Sequence, residues 1–336
     1  MSHILTEIQR CSLFTGTYGR KRCTAKCLGC YIGESETYDS KYQGNIAQVH
    51  ELMSLLPNLE EVVIMGNPDP TVDPDFCNEA AKLFQSKGIR TIFFTNGVGG
   101  IEMAKKLTKG LDPTLIRGFA FSVHSLDEEK DSKMKGIKVP LDGIFQSMKY
   151  LKGLNINVLA SFTIWPINMN DDWTEYFNFF ESRGVLIGNG FGSVEAANGR
   201  IEHVPKEKIL EIRKRHSGAR LSTILANEEE YQEYLSTFVA EQKFKCTNLK
   251  RVDVCFTEKE IKATYSCSLV GTVYPKYFKN IRDYNINEFH ENTLETGHCP
   301  VHKQALGFEI EGLHPVCRFY KRLSKKPLAK NPPLSF

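Results

Sequence analysis

From about residue 44 to residue 200, short runs of β-branched and apolar residues alternate with longer amphipathic stretches. "LEEVVIMGN" (59–67) sets Val62, Val63 and Ile64 consecutively before a Gly-Asn-Pro break, which predicts a strand buried on both faces. The helical pattern after it begins at Asp75 and stops at Gly88. "IRTIFFTNG" (89–97), "LIRGFAFSVHS" (115–125), "INVLASFTIWP" (156–166) and "RGVLIGNGFGS" (183–193) predict four further strands. Helices are predicted between them around 100–108, 141–152 and 172–182.

Strand and helix in regular alternation predict parallel strands joined by right-handed crossovers. The class is α/β, either an open doubly wound sheet or a barrel, partial or complete. Both place chemistry at the C-terminal ends of the strands. Those ends carry Gly66-Asn67-Pro68-Asp69-Pro70, Thr95-Asn96-Gly97, Ser122-Val123-His124-Ser125, and Ser161 with Thr163. Near residue 204 the texture changes. "PKEKILEIRKRH" and "NEEEYQEYLSTFVAEQKF" read as charged surface helices, followed by the strand-like runs "RVDVCF", "KATYSCSLVGTVYPKY" and "LGFEIEGL". The division expected is a βα domain over 1–204 and a smaller α+β extension over 205–336 that caps the strand ends.

Composition narrows the function classes. With 336 residues the chain can build one large barrel or two domains. Its 43 Lys and Arg against 40 Asp and Glu leave +3, too mild to mark nucleic acid or an anionic membrane as the main partner. Nor is there an extended basic groove with interleaved aromatics. No run approaches the ~20 apolar residues a membrane span needs. "MSHILTEIQRCSLF" contains Glu7 and Arg10 and lacks the apolar core of a signal peptide, so the cytoplasm is the expected location. There, ten cysteines point to thiolate ligands, core fillers or reactive groups rather than a disulfide framework.

Three of the ten stand together. "RCTAKCLGCYIGES" (22–35) holds Cys23, Cys27 and Cys30 in a C-x3-C-x2-C run with no fourth nearby. A closed structural metal site takes four protein ligands, whereas a working site keeps one position open. Three thiolates therefore suit an iron–sulfur cubane with one iron left for another ligand. Zinc completed by a remote Cys or His, or three core cysteines, are the competing readings. Cys11 and Cys77 read as core fillers.

Ahead of a βα series, this cysteine run resembles the radical S-adenosylmethionine (radical SAM) superfamily. The resemblance covers roughly residues 10–200 and implies a partial (β/α)6 TIM-like barrel. It also implies a [4Fe–4S] cluster on Cys23, Cys27 and Cys30 whose open iron is chelated by S-adenosylmethionine. In the family, reductive cleavage of that cofactor gives a 5′-deoxyadenosyl radical that abstracts hydrogen from a substrate. "MGNPDP" (65–70) stands where the family has Gly-Gly-Glu-Pro, with Asn67 in place of the second glycine and Pro68 one place early. The resemblance makes Gly66, Asn67, Pro68 and Asp69 the segment that holds the cofactor's amino group. It adds Asn96, Ser122, His124 and Ser161 as residues facing cofactor or substrate, and brings "GNGFGSVEAANGR" (188–200) near the adenine. Taken singly, His124 also reads as a structural histidine, Asn96 as a turn former and Ser161 as a backbone partner.

A radical SAM reading implies an oxidoreductase or a radical-mediated modification or rearrangement, acting on a peptide or small molecule. It implies a reductant such as flavodoxin or ferredoxin. The few residues ahead of Cys23 weigh against a leader-peptide domain there, and so against a peptide maturase. The last third holds Cys246, Cys255, Cys267, Cys299 and Cys317. "CFTEKEIKATYSCSLVGTVYPKY" resembles the SPASM and Twitch auxiliary-cluster extensions, though Lys276 stands where their cysteine follows the proline. Cys255, Cys267, Cys299 and Cys317 are candidates for a second [4Fe–4S] cluster, with Cys246 as a substitute. His298, Cys299 and His302 alternatively suit zinc. Failing both, these are core residues, or Cys267 or Cys299 is a thiol hydrogen donor. From another class, the whole chain also reads as a zinc-binding structural or interaction protein on an α/β scaffold.

Overall fold

The computed structural model describes residues 5–6, 8–15, 23–28, 44–66, 69–191, 193–195, 201–205, 208, 211–212, 251–265 and 279–284. Six parallel strands form its centre: β1 (Arg10–Phe14), β2 (Glu61–Met65), β3 (Arg90–Thr95), β4 (Ile116–Ser122), β5 (Val158–Thr163) and β6 (Leu186–Phe191). Between them run α1 (Ile46–Leu55), α2 (Pro74–Gln85), α3 (Gly100–Thr108), α4 (Glu128–Lys135), α5 (Leu141–Gly153) and α6 (Trp173–Glu181). Polar caps set where helices begin. Asn45 and Gln48 form a reciprocal capping box on α1, and Asp73 caps α2 just ahead of Pro74.

Neighbouring strands are consecutive from β1 to β6. A doubly wound sheet would reverse its order at a switch point. Right-handed crossovers in an unbroken order put every helix on one face, which is the winding of a barrel wall. Packing agrees. Val62, Ile64, Phe93, Phe119 and Phe162 join the helix side chains in one large core. Val63, Ile92, Ala120 and Leu159 form a separate small cluster on the other face. That two-sided burial is why β2 reads as an uninterrupted apolar run. The fold is the partial (β/α)6 type.

Of these elements, β1, α1 and α4 lie outside the predicted series. β1 was hidden by its alternation: Cys11 and Leu13 enter the core while Arg10 and Ser12 are polar, so no continuous apolar run appears. The described part of the extension prolongs the sheet. β9 (Arg251–Phe256) pairs in parallel with β1, β10 (Ile261–Tyr265) in antiparallel with β9, and β11 (Lys279–Asn280) with β10. A separate two-stranded ladder joins β7 (Ser193–Glu195) to β8 (Ile201–His203). At the N-terminal ends of the strands, buried Glu61 gathers Arg117 at 2.9 Å, Arg10 at 3.5 Å and Arg90 at 4.0 Å. This floor lies opposite the strand ends that carry the candidate chemistry.

Candidate functional site

At the C-terminal mouth, the turns after β2 and β3 are joined through Asp69. Its Oδ1 accepts from the Thr71 N–H at 2.9 Å and the Thr95 hydroxyl at 2.8 Å; Oδ2 accepts from the Asn96 N–H at 2.6 Å. A carboxylate offers about four lone-pair sites, so three are taken by the protein. Burial pushes the Asp69 carboxyl up, against the pull of these donors. The Asp69 and Ala25 backbone N–H groups lie near enough to the Cys23 sulfur to pull its pKa down, so the cysteine segment and the β2 turn come together there. Gly66 begins that turn at φ +92°, and a Cβ there would lie 2.0 Å from Phe14 Cδ1, so only glycine fits.

Cys23 is half-buried; burial and the Asp69 charge push its thiol up, while the two N–H groups pull it down. A sulfur held this way favours a thiolate once a cation supplies the missing positive charge. The segment after it leans on α4. Lys26 donates its N–H to the Lys135 carbonyl and Leu28 to that of Met134, both at 2.8 Å. These carbonyls end a helix and lack intrahelical partners. Gly136 closes the contact: a Cβ on it would meet the Lys26 carbonyl oxygen at 2.4 Å.

His124, two residues past β4, is held on three sides. Its Nδ1 accepts the Thr163 N–H at 3.1 Å, which leaves the proton of the neutral ring on Nε2. Its own N–H donates to Asp131 Oδ1 at 2.7 Å, and its carbonyl accepts from Asn168 Nδ2 at 2.6 Å. Burial holds its pKa down at about 4, with Asp131 opposing and Lys135 reinforcing the shift. Asp131 and Lys135 form a fully buried ion pair at 2.7 Å. Next to His124, the Ser125 hydroxyl and the Lys130 ammonium both donate to Asp171.

The predicted residues thus fall as follows. Cys23, Asp69 and Asn96 are brought together by the contacts already described. Ser122 and Ser161 are neighbours in register on β4 and β5, and they continue the rows of Ala120 and Leu159. His124 bonds to the end of β5 through Thr163. Cys27 lies in the segment docked on α4, and Cys255 is buried on β9 beside Phe14 of β1. Cys11 and Cys77 are core, as expected. Cys30, Asn67, Pro68, Cys246, Cys267, Cys299, Cys317, His298 and His302 lie outside the described residues. So does most of 192–200. Among the described residues no three Cys, His, Asp or Glu side chains converge on one metal position.

Two contributors escaped the sequence reading, Asn168 and the Asp131–Lys135 pair, while Thr95 was named only as a strand-end residue. The pair spans i to i+4 and looks like any solvated helix pair. Only tertiary packing removes it from water. Asn168 follows Pro166 in a plain loop and gives no pattern to find.

Two features test the fit of an iron–sulfur cluster with S-adenosylmethionine. Two backbone N–H groups, of Asp69 and Ala25, face the Cys23 sulfur, an arrangement that suits a cluster-ligating thiolate. Asn96 is 6% exposed, its Oδ1 accepts from the Val98 N–H, and its buried Nδ2 has no partner among the described residues. An orphaned buried donor calls for a ligand acceptor. Both fit.

Parallel strands in sequence order, with Asp69, Asn96, Ser122 and His124 at or just past their C-terminal ends, define a partial-barrel scaffold. Residues 20–180, which include all three clustered cysteines, match the model of the Radical SAM superfamily. Solved structures share the fold. SuiB of Streptococcus suis bound to precursor peptide SuiA superposes with a TM-score of 0.58 at 13% identity, covering 91% of this chain and 68% of that one. SuiB bound to S-adenosylmethionine gives 0.56 at 13%, over 90% and 68%. Native anSMEcpe with bound AdoMet gives 0.57 at 14%, over 93% and 95%. No curated protein matches the chain in sequence.

Proposed function

We propose that this chain is a radical SAM enzyme in which Cys23, Cys27 and Cys30 hold a [4Fe–4S] cluster. The observation that carries the reading is the buried side-chain amide nitrogen of Asn96, which has no partner among the described residues and whose turn is held by Asp69. S-adenosylmethionine is placed with its amino-acid end at the Gly66–Asp69 turn and Asn96. Together the two cofactors supply hydrogen abstraction through a carbon-centred radical.

The chain's own residues bind and orient. The Asn96 amide donates to an acceptor on the cofactor. Ser122 and Ser161 offer two hydroxyls side by side, and His124 offers a fixed Nε2–H donor. Asp69 spends most of its carboxylate on holding the two turns, so its larger contribution is shape. The substrate is a peptide or a small molecule; SuiB, a relative in fold only, is seen with its precursor peptide. The reductant is a one-electron carrier such as flavodoxin or ferredoxin.

Anaerobic reconstitution followed by metal analysis tests this. Brown protein with about four irons and matching sulfide per cubane is expected. Colourless protein with stoichiometric zinc would replace the proposal with a zinc-binding scaffold. The same assay on a variant with Cys23, Cys27 and Cys30 all changed to Ala addresses the C-terminal cysteines. We propose Cys255, Cys267, Cys299 and Cys317 as ligands of an auxiliary cluster, so that variant should keep about four irons. An iron-free, folded variant would rule the second cluster out.

A further inference from the structure

Thr95 closes β3, is 2% exposed, and reaches the segment assigned to the cofactor through its bond to Asp69. Its hydroxyl has one proton and two lone pairs. The proton goes to Asp69 Oδ1 at 2.8 Å, and a lone pair accepts the Gly97 N–H at 3.1 Å. Asp69 in turn accepts the Asn96 N–H on its other oxygen, and its own N–H faces the Cys23 sulfur. Gly97 cannot drift, because at φ +83° a Cβ would lie 2.7 Å from Ile144 Cγ1, which shows how closely its backbone is packed. One hydroxyl therefore sits between the turn that carries Asn96 and the turn that carries a cluster ligand.

From this geometry we infer that Thr95 is a positioning residue: through Asp69 it fixes Cys23 and the Asn96 amide relative to each other. This deepens the radical SAM reading and rests on it. A valine keeps the shape of threonine but can neither donate to Asp69 nor accept from Gly97. A serine can do both. If Thr95 served only the turn after β3, its loss would free Gly97 and leave the Asp69 N–H at Cys23 untouched.

Amide hydrogen exchange on the metal-free chain, read residue by residue, separates these cases. Thr95→Val should speed exchange at both Asp69 and Asn96 about tenfold or more, the scale of one hydrogen bond to a buried charged group. Thr95→Ser should restore wild-type rates. Phe119 of β4, in the same experiment, should not change. Wild-type protection of Asp69 in Thr95→Val overturns the inference. So does a uniform rise that includes Phe119, since that marks general destabilisation. In reconstituted protein, S-adenosylmethionine titrated against the electron paramagnetic resonance spectrum of the reduced centre should bind about tenfold more weakly to Thr95→Val and normally to Thr95→Ser. Equal affinity in all three proteins also overturns it. A wild type that assembles no iron–sulfur centre would instead remove the functional reading, while the exchange result would still judge the clamp.

Discussion

Lys135→Met breaks an ion pair that is 0% exposed on both sides, Lys135 Nζ to Asp131 Oδ2 at 2.7 Å. Leaving a buried charge unpaired typically costs about 3–5 kcal/mol. Asp131 cannot simply turn to water, because its Oδ1 holds the His124 N–H. Lys135→Met alone should therefore lower unfolding free energy by roughly 3–5 kcal/mol, and Asp131→Asn alone by a similar amount. The double variant leaves no charge, and its asparagine oxygen can still accept from His124. It should lose only about 1–2 kcal/mol, since a neutral replacement of a whole buried pair is often tolerated. Urea unfolding with unchanged slope reads all four proteins. The cycle should give a coupling of at least about 2 kcal/mol, above the usual error of additivity. Two additive singles, or a Lys135→Met loss under about 1 kcal/mol, would refute the reasoning and mean that water or a loop shift relieves the charge.

The His124 imidazole stays neutral in the folded chain down to about pH 4, while an unfolded one protonates below about 6.5. Protons then favour the unfolded state across that window, so acidification from pH 6.5 to 4 should cost roughly 3 kcal/mol from this group. His124→Asn keeps an acceptor for Thr163 and should flatten that part of the stability–pH curve; an unchanged curve would dismiss His124 as its source. Gly66→Ala must place a methyl 2.0 Å from Phe14 at φ +92°, so its thermal midpoint should drop sharply. Adding Phe14→Leu should rescue only part of the loss, because the backbone strain remains; full rescue would show that the clash alone mattered.

How much of this was legible in the chain depends on what the pattern encodes. Buried parallel strands announce themselves because both faces are apolar, as Val62 to Ile64 show, and the helices at 100–108 and 141–153 follow their amphipathic period. β1 did not announce itself, since one face is polar and its partner β9 lies far along the chain, with Arg10 set against Arg251. The candidate residues come from type and place: cysteines in a run, Ser122 closing β4, and Asn96 and His124 just past strands. Their wiring does not. Nothing in "NPDP" says that the Asp69 carboxylate turns to Thr95 and Asn96, or that its N–H meets Cys23. Such bonds depend on how two turns approach, a property of tertiary packing that local pattern does not carry. The same holds for Lys135, whose complete burial is a matter of tertiary packing.

The central claim is that Cys23, Cys27 and Cys30 hold the centre that acts on S-adenosylmethionine. Its most direct test is 5′-deoxyadenosine formation under dithionite, comparing the reconstituted wild type with the variant in which all three are alanine. The account predicts product from the wild type and none from the variant, with the variant still folded. Equal product from both would contradict it.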